Sequence, residues 1–217
     1  MNRTAVLFDM DGLMVDTEPL ARAAWERVLE PHGALMTDDL YGRMLGRRTN
    51  ESAQLVLDAL ALALPREELV ALKTALFLDS LADGVPVMPG LYVLLDEVER
   101  RGLPWAVATS TPRAVAEIIL GKLGLAGRTG ALACGDEVAH GKPAPDIFLL
   151  AATRLGAAPA ACLALEDSAN GCAAAVAAGM RVAAVGAAAM AGGALFAPAF
   201  RRYPSLVEVA ADLDALL

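Results

Sequence analysis

Acidic side chains follow short apolar runs at separate points of this 217-residue chain. They are Asp9, Asp11, Glu166 and Asp167. If the apolar runs are strands of an open parallel sheet, their carboxyl ends lie where ligands bind, so we expect the acids to meet there. Carboxylates that meet without a cation repel one another, and oxygen ligands of this type suit Mg²⁺. The sequence therefore predicts a magnesium site.

Two hydroxyl side chains and a lysine occupy corresponding positions. Thr109 and Ser110 end another apolar run, just before a helical pattern that starts near Pro112. Hydroxyls beside the free N–H groups of a helix N-terminus form a cradle for an anion such as phosphate. Lys142 would offset negative charge on both a phosphate and an attacking carboxylate. The chemistry that uses all of these groups is phosphoryl transfer to an aspartate, followed by hydrolysis.

Each of these features also has a simpler explanation. Residues 9–12 could form a tight turn with solvated acids, residues 166–168 could form only a helix N-cap, and Lys142 could be a surface lysine. All of these explanations would have to hold at once, at four strand ends. Because one functional site accounts for all of these features together, the sequence favours a functional site.

Apolar runs alternate with helical patterns along most of the chain. The runs cover residues 4–8, 104–109, 130–134, 161–165 and 180–185, and the helical patterns cover residues 89–101, 112–123, 145–155 and 168–178. This alternation predicts right-handed βαβ units and a parallel sheet with helices on both faces. The expected fold class is α/β, with a Rossmann-like three-layer αβα core.

Residues 17–82 interrupt the alternation with helical patterns alone. The first pattern ends at residues 31–33, Pro-His-Gly, and further helices are expected over residues 50–64 and 65–81. An all-helical insert directly after the first strand predicts a cap domain over the carboxyl edge of the sheet. The predicted division is a core domain of residues 1–16 and 83–217 and an α-helical cap domain of residues 17–82.

Composition limits the classes of partner. The chain is 56% hydrophobic, which excludes general disorder, and its net charge of -8 argues against non-specific binding to nucleic acid. Residues 182–200 are uncharged but rich in Ala and Gly, so we expect a buried strand and a loose connection there instead of a membrane span. Three unpaired cysteines and the lack of a secretory signal predict a cytoplasmic protein that binds no membrane.

Four short segments resemble the motifs of the haloacid dehalogenase-like hydrolase superfamily. Residues 8–18 (Phe-Asp-Met-Asp-Gly-Leu-Met-Val-Asp-Thr-Glu) resemble motif I, and residues 108–110 resemble motif II. Residues 141–146 resemble motif III, and residues 165–168 resemble motif IV. The helical insert is similar to the small α-helical cap of the β-phosphoglucomutase and sugar-phosphate phosphatase branch.

This resemblance implies a role for each matching residue. Asp9 would be the nucleophile, and Asp11 would be the general acid and base. Mg²⁺ would be held by the Asp9 carboxylate, the Asp11 backbone carbonyl and Asp167, with Glu166 adjacent or also ligating. The groups that would hold the transferring phosphoryl are Thr109, the Ser110 backbone N–H and Lys142.

Two positions bear on the type of reaction. Mutase-like members of the branch usually carry a histidine where this chain has Ala21, which favours a phosphatase over a phosphosugar mutase. Arg47 or Arg48 could bind a distal anionic group, or both could be solvated charges near a helix start. The predicted function is a Mg²⁺-dependent phosphatase that acts on a small phosphorylated metabolite of the sugar phosphate class and whose cap opens and closes. The alternatives are a β-phosphoglucomutase-like mutase and, with less support, a non-catalytic regulatory or binding protein.

Overall fold

A six-stranded parallel sheet forms the centre of the protein, which is described here by a computed structural model covering residues 4–217. The strand order is β3-β2-β1-β4-β5-β6, and every neighbouring pair is parallel. The strands are β1 (Ala5–Phe8), β2 (Trp105–Thr109), β3 (Ala131–Cys134), β4 (Cys162–Glu166), β5 (Arg181–Val185) and β6 (Arg201–Tyr203). Residues 1–3 of the predicted core domain lie outside the described residues.

Helices surround the sheet and fill the segment between its first two strands. In chain order they are α1 (Glu18–Leu29), α2 (Asp38–Met44), α3 (Thr49–Leu60), α4 (Arg66–Ser80), α5 (Leu91–Arg100), α6 (Arg113–Lys122), α7 (Asp146–Leu155), α8 (Ala169–Ala177), α9 (Ala187–Ala191), α10 (Leu206–Ala211) and α11 (Leu213–Leu216).

The sheet is covered on both faces because successive side chains of a strand point to opposite sides. Val6 and Phe8 of β1 pack with the apolar side chains of α5, α6, α10 and α11. Ala5 and Leu7 pack on the other face with those of α7, α8 and α9. Together with the helices inserted after β1, this arrangement confirms the predicted α/β fold with a three-layer core and a helical cap.

Helices α1 to α4 have an apolar cluster of their own, which includes Trp25, Leu29, Val56 and Leu69. The two chain segments that join these helices to the sheet run side by side. Asp16 N donates to the Pro86 carbonyl at 2.9 Å, and Met88 N donates to the Met14 carbonyl at 3.0 Å. The domain boundaries at residues 17 and 82 stay a prediction.

The segment after β5 differs from the sequence-based expectation. The loose connection expected up to residue 200 contains α9 and a 3₁₀ turn at Ala194–Phe196, and it leads into β6, which was not predicted. Strand β6 is short, lies at the edge of the sheet and exposes Arg201 and Arg202, so it lacks the apolar run of a buried strand. No helix within residues 4–217 has the length and apolar character needed to cross a membrane.

Candidate active site

The site lies at the carboxyl edge of the sheet, where three neighbouring strands end. Strand β1 lies between β2 and β4, so Asp9, which follows β1, lies between Thr109 at the end of β2 and Glu166 at the end of β4. All three side chains are buried. The parallel pairing therefore brings together residues that are more than 150 positions apart in the sequence.

Lys142 links two of these acids. Its ammonium nitrogen Nζ lies 2.5 Å from Asp9 Oδ1, donates to Glu166 Oε1, and donates to the Ala108 carbonyl at 3.1 Å. Lys142 is 2% exposed, so it is not a surface lysine. Burial alone would lower the pKa of Lys142, but the negative charges of Asp9 and Glu166 outweigh burial and hold this pKa above its usual value. Lys142 is therefore a fixed positive charge beside Asp9.

Three carboxylates form an acidic cluster at this edge. Asp9, Glu166 and Asp167 each present an oxygen within 4.8 Å of the others. Burial and the charge of Glu166 raise the pKa of Asp9 to about 8, and burial together with Asp9 and Glu166 raises the pKa of Asp167. Both shifts express the cost of placing like charges together out of water. An oxygen-rich cluster of this kind is suited to a hard divalent cation.

Gly12 makes room for one member of this cluster. Its φ angle is +86°, and a Cβ atom placed on it would lie 2.1 Å from Asp167 Oδ2. A side chain at position 12 would therefore displace the Asp167 carboxylate. Two features therefore favour glycine at position 12: the turn has a positive φ, and the Asp167 carboxylate occupies the space that a Cβ atom would take.

Hydroxyl groups surround the carboxylate of Asp11. Thr17 Oγ1 donates to Oδ1 at 2.7 Å, while Thr111 Oγ1 and Thr109 Oγ1 donate to Oδ2 at 2.7 and 3.2 Å. The side chain of Asp11 is thus separate from the acidic cluster and is held by three hydrogen bonds. Asp11 also lines a cavity, so its carboxylate can exchange a proton with a molecule bound there.

A cavity of about 910 Å³, counted with its mouth, lies between the carboxyl edge and the helical cap. The core contributes Asp9, Asp11, Thr109, Ser110 and Asp167 to its wall. The residues that α1 to α4 and their loops contribute include Glu18, Ala21, Trp25, Tyr41, Arg47, Lys73 and Phe77. A molecule in this cavity would touch both parts of the protein.

Lys73 of α4 is a buried cation in the cap wall. Its residue is 9% exposed, and its Nζ lies 4.4 Å from the ring centroid of Phe77 and 5.9 Å from that of Trp25. Within residues 4–217, no acceptor lies at hydrogen-bond distance from this Nζ. Burial lowers the pKa of Lys73 to about 8. The aromatic faces partly stabilise the charge, which leaves its N–H groups available to a molecule in the cavity.

The two arginines of the cap loop have different surroundings. Arg47 is exposed, lines the cavity, and donates from Nε to the Arg43 carbonyl at 2.9 Å. Arg48 points away from the cavity, since its guanidinium pairs with Glu51 and contacts backbone carbonyls of the core. Ser110 donates from Oγ to the Gly46 carbonyl at 2.8 Å, so the group of Ser110 that would bind an anion is its backbone N–H and not its hydroxyl. Of the expected site residues, Asp9, Asp11, Thr109, Ser110, Asp167 and, from the cap, Arg47 line this cavity, whereas Lys142 and Glu166 are buried and do not line it.

Several residues of this site were not predicted from the sequence. Thr17 and Thr111 bond to Asp11; Thr17 is within the motif I segment and Thr111 directly follows the motif II segment, so spacing from Asp11 and Thr109 was the available signal. Lys73 lies between Leu69 and Phe77 on the buried face of α4. A single charge on an otherwise apolar helical face was the signal that could have identified it.

Known proteins share both the sequence pattern and the fold. The family model of haloacid dehalogenase-like hydrolases matches residues 4–179. Fructose-1-phosphate phosphatase YqaB of Escherichia coli is 38% identical over 175 residues, which cover 81% of this chain and 92% of that protein. A phosphorylated carbohydrates phosphatase of Thermotoga maritima is 36% identical over 180 residues, which cover 81% and 82% of the two chains.

A solved structure gives the same result for the fold. The crystal structure of CbbY from Rhodobacter sphaeroides in complex with phosphate matches with a TM-score of 0.82 and 31% identity, covering 95% of this chain and 96% of that chain. The family match spans motif I through motif IV, and so covers the acidic cluster and Lys142. This chain belongs to the haloacid dehalogenase-like hydrolase family, and it is a phosphatase enzyme of that family.

Proposed function

We propose that this enzyme is a Mg²⁺-dependent phosphatase that hydrolyses a small sugar phosphate through an aspartyl-phosphate intermediate. One observation carries the proposal. Asp9 is a buried carboxylate in the wall of the cavity between core and cap, with the Lys142 ammonium 2.5 Å from one of its oxygens and Asp11 two residues further along. An attacking group and a proton carrier therefore line the same cavity, and a fixed positive charge is bonded to the attacking group.

The donor set fits a hard divalent cation. The carboxylates of Asp9, Glu166 and Asp167 and the backbone carbonyl of Asp11 would hold Mg²⁺. The raised pKa values of Asp9 and Asp167 support this assignment, because a bound cation removes the repulsion that causes them. When bound, Mg²⁺ supplies positive charge that offsets the charge on the phosphoryl oxygens.

The residues of the chain divide the reaction into two steps. In the first, a carboxylate oxygen of Asp9 forms a bond to phosphorus while the bond from phosphorus to the ester oxygen breaks, and Asp11 gives its proton to the leaving oxygen. In the second, Asp11 takes a proton from water, whose oxygen bonds to phosphorus as the bond to Asp9 breaks. Lys142, Thr109 and the Ser110 N–H hold the phosphoryl oxygens throughout.

The cap side of the cavity supports a small polar substrate. Glu18, Tyr41 and Arg47 offer hydrogen-bonding groups there, and Lys73 offers an ammonium group. The cavity is lined by both core and cap residues, which suits a small ligand held between the two parts. The relatives named for fructose 1-phosphate and for phosphorylated carbohydrates support a sugar phosphate as the substrate class.

Position 21 supports a phosphatase over a mutase. Ala21 lies in the cavity wall, where a mutase-like protein usually has a histidine, and a methyl group cannot exchange a proton with a second sugar hydroxyl. Hydrolysis then remains as the fate of the phosphoryl group. Incubation with a hexose phosphate, followed for free phosphate and for the isomeric phosphate, tests this choice. Isomer formation at a rate above phosphate release would refute it.

The decisive experiment for the function is a phosphate-release screen. Wild-type protein and the Asp9→Asn variant are incubated with a panel of sugar phosphates, other phosphorylated metabolites and p-nitrophenyl phosphate, with Mg²⁺ or with EDTA. We expect release by the wild type that needs Mg²⁺, with sugar phosphates preferred, and none by the variant. Release that is unchanged in EDTA, or equal in the variant, would contradict the proposal.

A further inference from the structure

Arg48 connects the helical cap to a core loop that leads to the site. It precedes α3, and its Nη1 donates to the carbonyls of Val138 and Ala139 at 3.1 and 3.3 Å and to that of Gly135 at 3.5 Å. Three carbonyl oxygens of one core segment therefore converge on one guanidinium of the cap. We call residues 135–141 the lysine loop, because Lys142 follows it directly.

Glu51 fixes the direction of the Arg48 side chain. Arg48 Nε donates to Glu51 Oε1 at 2.8 Å, Nη2 pairs with the same carboxylate, and Arg48 N donates to Glu51 Oε2 at 3.3 Å. A guanidinium that is already held by a carboxylate loses less rotational freedom when it binds a further group. The Arg48–Glu51 pair is therefore preorganised to bind the carbonyls of the lysine loop.

The lysine loop is shaped to accept this pair. A Cβ atom on Gly141 would lie 2.7 Å from Arg48 Nε and 3.0 Å from Glu51 Oε1. The backbone next to Lys142 therefore lies directly against the Arg48–Glu51 pair. Movement of the pair away from the core would remove this contact with the segment that carries Lys142.

The same cap loop is tied to two other core elements. The Gly46 carbonyl accepts from Ser110 Oγ after β2, and the Leu45 carbonyl accepts from Asn170 Nδ2 in α8, both at 2.8 Å. Contacts at residues 45, 46 and 48 thus attach the cap loop to the segments that follow β2, β3 and β4. The cavity is closed on this side.

We propose that Arg48 is a positioning residue, which fixes the lysine loop when the cap is closed and so sets Lys142 between Asp9 and Glu166. This inference rests on the proposed phosphatase function, because Lys142 acts there on the phosphoryl group. It assigns the two neighbouring arginines different tasks. Arg47 faces the cavity, whereas Arg48 acts through the core backbone.

The test compares Arg48→Gln with the matched variant Arg66→Gln, which alters an exposed cap arginine paired with Glu67. Glu51→Gln is a second variant that keeps Arg48 and weakens its hold. Hydrogen exchange of the full chain is followed at the amides of Gly135 and His140, which donate hydrogen bonds to the Thr111 carbonyl and to Asp146. Steady-state rates are measured with a sugar phosphate and with p-nitrophenyl phosphate.

We expect faster exchange in the lysine loop for Arg48→Gln and a smaller change for Glu51→Gln. For Arg48→Gln, kcat should fall about threefold to thirtyfold on both substrates, the size found for coupling through contacts. Arg66→Gln should match the wild type in both measurements. A loss confined to the sugar phosphate, with unchanged exchange, would make Arg48 a substrate ligand and overturn the proposal.

Two further outcomes would also test the role of Arg48. Faster exchange with unchanged kcat would show that Arg48 holds the loop without acting on Lys142, which overturns the proposal. Unchanged exchange and unchanged kcat would make Arg48 an ordinary solvated ion pair. If wild-type protein released no phosphate from any substrate, the proposed phosphatase mechanism would fail, while the exchange measurement would still report whether Arg48 fixes the loop.

Discussion

Replacing Lys142 with methionine is expected to lower both stability and turnover, because two buried carboxylates share its ammonium group. The side chain of Lys142 is 1% exposed, that of Glu166 is fully buried, and that of Asp9 is 9% exposed. Methionine keeps an unbranched apolar stem but leaves both acids without their cation. Breaking a buried ion pair on one side costs about 3–5 kcal/mol. At about 2–4 °C per kcal/mol for a chain of this size, the melting temperature should fall by about 6–20 °C.

The Lys142→Met substitution should also lower turnover. Loss of one hydrogen-bond donor to the oxygens of a reacting group typically costs about 10²–10³ in kcat. Thermal unfolding in EDTA and phosphate release in Mg²⁺ measure the two effects, with Lys122→Met, an exposed lysine, as the matched control. Adding Glu166→Gln should restore part of the lost stability, because it removes one unpaired charge. A melting temperature and kcat equal to those of the control would refute this account of the site.

Three other substitutions test separate parts of the mechanism. Asp9→Asn should abolish phosphate release and keep the wild-type melting curve, since the amide oxygen still accepts from Lys142; near wild-type turnover would exclude Asp9 as nucleophile. Asp11→Asn should slow release from a sugar phosphate more than from p-nitrophenyl phosphate, whose leaving group needs no proton. Equal losses on the two substrates would count against Asp11 as the acid. For Lys73, with its pKa near 8, wild-type kcat/KM on a sugar phosphate should decline as the pH rises above about 8, because the ammonium loses its charge. That decline should be absent in Lys73→Met, and its persistence there would show that another group causes it.

The sheet was largely predictable because parallel strands that are buried on both faces are near-continuous apolar runs in the sequence. Five apolar runs in the sequence match β1 to β5. The chain after residue 200 was not predicted, since β6 pairs with β5 alone and exposes two arginines, and α10 and α11 are short. These elements owe their positions to tertiary packing, which a local pattern does not record.

The core side of the site was predictable from topology, and the cap side was not. Asp9, Thr109 and Glu166 come together because parallel strands end at one edge, whatever the loops do. Arg48 contacts the core, and Lys73 lines the cavity shared with the core, because of the angle at which a separate group of helices meets the sheet. That angle depends on many weak contacts between cap and core, so no spacing in the sequence encodes it.

Charge at the site explains why an acidic protein can take an anionic substrate. The three carboxylates of the cluster, when ionised, exceed the single ammonium of Lys142 by two charges, which one divalent cation would balance. A phosphate that then enters adds negative charge with no further cation on the core side of the cluster. Lys73 stands in the opposite wall and contributes its charge when the cap is closed. Closure and phosphate binding should therefore favour each other, since each reduces the electrostatic cost of the other.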